Sequence, residues 1–300
     1  MIFLLIRIDP LEIVVWTNEE GARFSPALMG SGVFSGIFQQ SKIYKHIDQE
    51  GKSFESELKR TGQLGEIQCR SFPIKAYYEL HIEQGPTLEN NDITIGVVTG
   101  GQGSYWTHIT LLGKSSHAGT TPMKYRKDPI MGAARIVNGF RDIILQHPEA
   151  VGTIGKFETH PSSTNTIPER VFFTVDTRHP EENILEDINK NLMKLVSKIS
   201  LEENLKYNFK NIWKAPSINF DEECISVVRR SAEALGYSSC DIVSGAGHDA
   251  CQLSHVAPTG MIFVPCEEGL SHDEAENSKP EDVSAGADVL LNSILISSKY

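Results

Sequence analysis

Cysteine is scarce, and none of it is paired in spacing. The five residues, Cys69, Cys224, Cys240, Cys251 and Cys266, are odd in number and form no CxxC. That excludes a disulfide framework or a zinc ribbon and points to a reducing compartment. Positive charge is also short: 28 Lys and Arg stand against 39 Asp and Glu, a formal net charge of -11. A phosphate backbone is bound by clustered cations, so a nucleic-acid partner is not expected. No apolar run reaches the roughly 20 residues that cross a bilayer. The opening MIFLLIRIDPLEIVVW is interrupted by Arg7, Asp9, Pro10 and Glu12 before any small-residue cleavage site, which reads as a strand region rather than a leader. No membrane partner is expected, and the cytoplasm is the expected location. Nucleotide and nucleophile signatures are missing too. GSGVFSG (Gly30 to Gly36) and GGQGSYW miss the GxGxxG spacing, there is no GxSxG elbow, and no thiol lies in a nucleophile motif.

What is present is an ordinary globular composition over 300 residues, 40% hydrophobic and 22% charged, without tandem repeats. Four short apolar runs end in polar or Gly-rich loops: LEIVVW before TNEEG, IKAYYEL before HIEQG, CDIVSGAG before HDA, and MIFVP before CEEGLSH. Such runs, mixed with helical patterns, fit strands of an α/β sheet buried on both faces. Ligands of open α/β sheets collect beyond the carboxyl ends of the strands, and each of these runs delivers Glu or His there.

Between Ser104 and Lys214 the pattern changes. WTHITLLG alternates as a strand and DPIMGAARIVNGFRDIIL has helical spacing. VGTIGKFE and RVFFTVDTR read as strands, NILEDINKNLMKLVSKIS as an amphipathic helix, and LKYNFKNIW as a last strand. The order β-α-β-β-α-β suggests a compact α+β unit inserted into the larger α/β domain. The expected boundaries are 1–103 and 215–300 for the discontinuous domain and 104–214 for the insert. Ile184, Ile188, Leu192, Leu195 and Ile199 share one face of the second helix, to be used as core or as a dimer surface, with core the commoner use.

Adjacent side chains leaving a strand diverge, so of Glu19 and Glu20 one can bind a metal while the other faces a substrate as general base. Adjacent glutamates are more often simply solvated. His81 is a candidate imidazole ligand or a core residue. His272, in GLSHDEAE, is a ligand candidate or part of a helix-capping region, and His248, behind two glycines, a ligand-facing or tight-turn residue. Imidazole and carboxylate on convergent loops form a ligand set for zinc or manganese, and an unligated neighbouring Glu accepts a proton from bound water. The insert adds His117, Asn165 and Arg178. An Arg fork suits a substrate carboxylate, Asn offers an amide donor and His can donate to an oxyanion. The alternatives are that Arg178 pairs with Asp176 and that Asn165 shapes its turn.

TNEEGARF, ELHIEQGP, IGVVTG, HAGTTPM, TNTIP, DTRH, SGAGHDA and GLSHDEAE stand in the order seen in the amidase branch of the M20 metallopeptidase family, which the chain resembles from about Leu11 to its end. That branch holds N-carbamoyl-L-amino-acid hydrolases, β-ureidopropionases and allantoate amidohydrolases. The resemblance implies a zinc-exopeptidase-like α/β catalytic domain with an inserted ferredoxin-like α+β lid that also mediates a homodimer. It implies Glu19 as general acid/base, Glu20 and His272 as ligands of one metal ion and His81 as a ligand of a second, zinc or manganese. Gln84, His117, Asn165, Arg178 and His248 become the substrate shell, with Arg178 on the carboxylate and His117 on the tetrahedral oxyanion. The resemblance also implies that His117 and Asn165 serve the neighbouring subunit's site. The implied substrate is an N-carbamoyl amino acid or related ureido acid.

The same resemblance implies an upstream His ligand and bridging Asp, in a segment like GSHxDxxxxGGxxDG. The 18 residues before Glu19 contain no His, and Asp9, in IRIDPLE, is in a poor context for the bridge. The expectation is therefore a thinned bimetal centre that binds fewer ions or binds them weakly, and an uncovered strand edge with exposed apolar surface. A truncated gene model, a fragment completed by another chain and a pseudoenzyme serving for binding or dimerisation all fit that departure. A peptidase or aminoacylase of the same superfamily is the other enzyme reading.

Overall fold

The computed structural model describes residues 10–298. Its strands are β1 (Tyr77–Ile82), β2 (Ile95–Gly101), β3 (Gly103–Leu112), β4 (Ser116–His117), β5 (Val151–His160) and β6 (Thr166–Ile167). There follow β7 (Arg170–His179), β8 (Lys206–Ala215), β9 (Ile218–Asn219), β10 (Ser239–Ser244) and β11 (Thr259–Val264). The helices are α1 (Met29–Phe34), α2 (Gln40–Ile43), α3 (Phe54–Arg60), α4 (Thr87–Asn90) and α5 (Pro129–Ile144). After them come α6 (Glu182–Glu202), α7 (Glu222–Leu235), α8 (Asp249–Leu253) and α9 (Pro280–Ser297). The chain divides into two compact units, residues 1–101 with 219–300, and residues 102–218.

The first unit is built on a mixed sheet of order β1-β11-β2-β10, with β9 joined to β2. β1 runs parallel to β11, β11 antiparallel to β2, and β2 parallel to β10. The continuous apolar run TGMIFV makes β11 the central strand, buried at every position. Period-two alternation then sorts the residues of β1. Tyr78 and Leu80 face α9, where Gly286 leaves room: a Cβ there would meet Leu80 Cδ1 and Val264 Cγ1 at 2.6 Å. Tyr77, Glu79 and His81 face the side of α8, whose Ala250 N donates to Glu79 Oε2 at 2.8 Å. α7 is bounded as its sequence dictates, by Asp221 accepting from Cys224 N at 3.0 Å and by Gly236 in the left-handed region.

LEIVVW is not a buried strand. Among the described residues, 11–16 pair with no strand, and Ile13 and Val15 are 89% and 90% exposed. β1 is the outer strand of its sheet among the described residues. An apolar run becomes a buried strand only with a ladder partner and a covering layer, and among the described residues this segment has neither. It lines a cleft of about 640 Å³ with Tyr78 and Leu291 instead. Its last residue is the one firmly held: Trp16 packs on Phe34 at 5.4 Å between centroids and donates Nε1–H to the Tyr77 hydroxyl at 3.1 Å. Asp9 and the preceding run lie outside the described residues.

The second unit is one antiparallel sheet of order β5-β7-β3-β8 with α5 and α6 on one face. In chain order that is 2-3-1-4, the arrangement a β-α-β-β-α-β split unit produces, so the ferredoxin-like expectation holds. Asp128 caps α5 by accepting from Ile130 N, with Pro129 at the first helical position. Ile109, Leu111, Val171, Phe173 and Val175 meet Ile136, Phe140, Leu192 and Val196 to form the core. The buried stripe of α6 is Leu185, Ile188, Leu192, Val196 and Ile199, with Ile184 and Leu195 half-buried at its margin.

Phe173 is fully buried whereas Phe157, stacked on it at 5.7 Å, is 45% exposed. Phe173→Ala is expected to lower unfolding free energy by about 3–5 kcal/mol, and Phe157→Ala by less than about 1.5 kcal/mol. Urea unfolding followed by circular dichroism checks both; equal losses would show that the core is not where the structure puts it.

Candidate functional site

In the first unit the carboxylate pair sits on a loop fixed from several sides. Asn18 adopts the left-handed conformation, φ 57°, and its Nδ2 donates to Phe24 O and Pro26 O at 2.8 and 3.2 Å. Leu28 N donates to Glu19 O at 2.8 Å. Gly21, φ 69°, lets the backbone pass Ala27, whose nitrogen lies 2.7 Å from where a Cβ would be. Arg23 then reaches Asp48 and Glu57, each at 2.7 Å, while Phe24 enters a small core with Met29, Ile43 and Phe54. Glu57, tied by Arg60 and Arg23, is held down at about 2, and the clamp stays charged at neutral pH.

Glu19 and Glu20 diverge in environment as well as direction. Glu20 is exposed, with Oε2 3.7 Å from His272 Nε2, a distance for an ion pair when the ring is protonated. Glu19 is half-buried, and its carboxyl is pushed above the usual range by burial first, then by the charges of Glu20 and Asp249, with His272 pulling the other way. His272 and Gln84 are also left-handed, both at φ 57°. Gln84 Nε2 donates to Ser271 Oγ at 2.9 Å, and His272 N to Glu276 Oε2 at 2.8 Å. Strained φ at Asn18, Gln84 and His272 is the kind that persists at functional loops. His272 belongs to no helix cap, since α9 begins at Pro280.

His81 lies within β1, opposite Phe263 in β11. Its Nδ1 is 2.8 Å from Ile82 O, an acceptor only, so Nδ1 is a donor there and the neutral ring has its lone pair at Nε2. His248 is 1% exposed, packs edge-on against His81 at 4.6 Å and joins its Nε2 to Ser244 Oγ at 2.8 Å. Burial, with the charge of His81, drives it down to about 3, so it is neutral. Its side chain is occupied as a packing and hydrogen-bonding group.

Two carboxylates escaped the sequence reading. Burial pushes Glu79 up to about 7, with Asp249 and Glu19 adding to it; Tyr77 OH and Ala250 N donate to its Oε2, both at 2.8 Å. Asp249, buried and raised by desolvation, accepts from Ser31 Oγ. The available signal was positional: Glu79 is two residues from His81 on one strand face, and Asp249 follows His248 directly.

As a metal site the first unit fits in kind and falls short in number. Glu20 with His272, and a His81 ring whose Nδ1–H is held by a backbone carbonyl, are donors that suit zinc or manganese. A closed site takes three or four ligands. No three His, Cys, Asp or Glu side chains converge on one point among the described residues.

The second unit brings His117 and Asn165 together. β4 pairs with β6, His117 opposite Thr166, and Ala118 N donates to Asn165 O at 2.9 Å. His117 Nδ1 accepts from Gly119 N and Thr120 N at 3.0 and 3.3 Å, which leaves Nε2–H as an exposed donor. Asn165 Oδ1 accepts from Ser163 Oγ at 3.0 Å, so the amide presents its Nδ2 donors. Arg178, on β7, is paired with Asp176: Nη2 to Oδ2 is 2.7 Å, and Nε reaches both oxygens at 3.2 Å.

The comparisons agree with these motifs. Residues 6–295 match the model of peptidase family M20/M25/M40. An N-carbamoyl-L-amino-acid amidohydrolase of Rhizobium meliloti is 43% identical over 287 residues, 95% of this chain and 69% of the relative. An allantoate amidohydrolase of Bacillus subtilis is 32% identical, over 94% of this chain and 70% of the relative. An amidase of the hydantoinase/carbamoylase family from Burkholderia multivorans superposes with TM-score 0.93 and 46% identity, covering 95% of this chain and 70% of that one. Members of the family generally use divalent metal ions. The chain belongs to peptidase family M20/M25/M40 and, within it, stands among carbamoylase-type amidohydrolases of the α/β fold.

Proposed function

We propose that the chain is a metal-dependent amidohydrolase that acts on N-carbamoyl amino acids or related ureido acids. One observation carries the reading: two adjacent carboxylates are divided by environment, Glu19 half-buried and raised, Glu20 exposed beside His272. That division gives one proton-transfer group and one cation ligand from a single loop. Glu20 and His272 are assigned to one ion and His81 to another, zinc or manganese, held by fewer protein ligands than a closed site uses.

Glu19 takes the proton of the water that adds to the ureido carbonyl and returns it to the nitrogen that leaves as the C–N bond breaks. The carbamate then releases carbon dioxide, so ammonia and the amino acid are the products. Arg178 takes the substrate carboxylate through a guanidinium that Asp176 orients, His117 donates Nε2–H to the tetrahedral oxyanion, and Asn165 Nδ2 and Gln84 are further polar contacts. His248 serves this shell through His81, against which it is packed. The domain boundaries at 103 and 215 are assigned to the two segments of the catalytic domain and its lid. A homodimer through the lid is inferred because β5 is an outer strand exposed along most of its length. No described helix is long and apolar enough to cross a membrane, and we assign the chain to the cytoplasm. The second reading is a non-catalytic member that serves for binding or dimerisation, supported by the compact inserted unit with its exposed outer strand β5.

Ammonia release from N-carbamoyl amino acids with added zinc or manganese separates these readings. Glu19→Gln is expected to reduce it by about 10²- to 10⁴-fold while leaving bound metal unchanged; an unaltered rate would remove Glu19 from the proton path. Metal bound per chain should fall in Glu20→Ala and in His272→Ala, and unchanged metal content in both would defeat that assignment.

Glu79 provides a pH test on metal-free protein. Its folded value of about 7 lies above the ordinary 4.5. The stability this contributes is present below about pH 4.5 and is lost as pH rises through 7, a change of roughly 3 kcal/mol. Glu79→Gln removes that slope, so its stability relative to the parent should increase between pH 5 and pH 8. Parallel urea midpoints across that range would refute the raised value.

A further inference from the structure

The second unit's sheet has one face under α5 and α6 and another that none of the unit's helices covers. On the open face, cross-strand register sets two neighbouring rows. One is Val151–Arg178–Ser104–Ala215 and the next is Thr153–Asp176–Trp106–Trp213. Both edge strands are irregular at this level. β5 slips register between Thr153 and Lys156, and β8 carries an extra residue, Ile212, between Asn211 and Trp213. In an unbroken β8 ladder Ile212 would stand opposite Trp106 and Trp213 would turn to the helix side. The bulge turns Trp213 outward instead, the usual way a bulge re-aims a side chain.

The result is two large indoles side by side, centroids 6.0 Å apart, 44% and 50% exposed, one strand away from a guanidinium. Exposing two tryptophans leaves apolar area in water without return unless something covers it. Other aromatics on this face are treated differently. Phe172 has His108 edge-on at 5.1 Å and Lys156 over its ring at 5.5 Å. No cation lies over either indole among the described residues. Trp106 and Arg178 are diagonal neighbours across β3 and β7, roughly 7–8 Å apart in backbone position. An amino acid spans that distance from its carboxylate to the end of a bulky side chain. The Ser104 side chain beside Arg178 is small, and Thr153 beside Asp176 closes the far end of the row.

We propose that the Trp106–Trp213 pair receives the side chain of the ureido acid whose carboxylate Arg178 takes, so that the chain selects N-carbamoyl derivatives of bulky apolar, above all aromatic, amino acids. This rests on the functional reading given above. Substrates whose second end is small or charged gain nothing from the pair: glycine derivatives leave the indoles wet, and a second carboxylate would lie over the negative faces of the rings beside Asp176.

Calorimetric titration of the full chain with N-carbamoyl-L-phenylalanine and with N-carbamoylglycine tests the assignment without needing turnover. The phenylalanine derivative is expected to bind about tenfold more tightly. Trp106→Ala and Trp213→Ala should each remove most of that preference and leave N-carbamoylglycine within about twofold. Trp106→Phe should restore it, and far-ultraviolet circular dichroism confirms that each variant is folded. If the two ligands bind alike while Arg178→Gln weakens both, the indole assignment is overturned and the ureido-acid reading stands. If neither ligand binds the parent chain, both are overturned.

Discussion

The alternation of β1 is the constraint on which the first unit depends. A six-residue strand, YYELHI, must satisfy two different layers at once, and period-two geometry assigns one set of side chains to each. Tyr78 and Leu80 pack under α9, against a helix that approaches closely because Gly286 has no side chain. Glu79 and His81 are thereby delivered to the opposite face, where α8 and His248 lie. Shifting the register by one residue would bring the Glu79 carboxylate under α9 and turn Tyr78 and Leu80 toward α8. The hydrogen-bond path from Trp16 to Tyr77 to Glu79 to Ala250 N ties the exit of residues 11–16 to this strand, so the carboxylate loop inherits its position from β1.

Most of this architecture is legible in the sequence because its strands are short apolar runs with clear ends. TGMIFV and IGVVTGG are central and buried, and their composition says so. The inserted unit is legible for another reason: helices and strands alternate there with unmixed periods of 3.6 and 2. LEIVVW shows the limit. Its composition is that of a strand, but a strand is a property of a pair, and no ladder partner flanks it among the described residues. Glu79 and Asp249 were invisible for the converse reason, since a carboxylate's burial is decided by which helix packs over it and not by its neighbours in sequence.

The candidate residues divide by how much freedom the fold leaves them. Glu20, His272 and His117 are exposed and able to meet a ligand, with the His117 tautomer already set by two backbone donors. His248 is buried, joined to Ser244 and packed edge-on against His81. Arg178 is intermediate, a cation whose orientation Asp176 fixes before any ligand arrives. Preorientation of this kind lowers the entropy lost on binding, at the expense of some competition for the same donors.

The extra residue in β8 also bears on how such a surface changes over generations. Substitution alters one side chain at a time, whereas an extra residue such as Ile212 offsets the register of β8 by one between its two ends. With every residue kept, closing the bulge would set Ile212 opposite Trp106 and turn Trp213 to the helix side, whereas deleting Ile212 would straighten the edge strand with Trp213 still opposite Trp106. A single-codon insertion in an outer strand is thus absorbed as a bulge, and the aromatic pair survives both its gain and its loss.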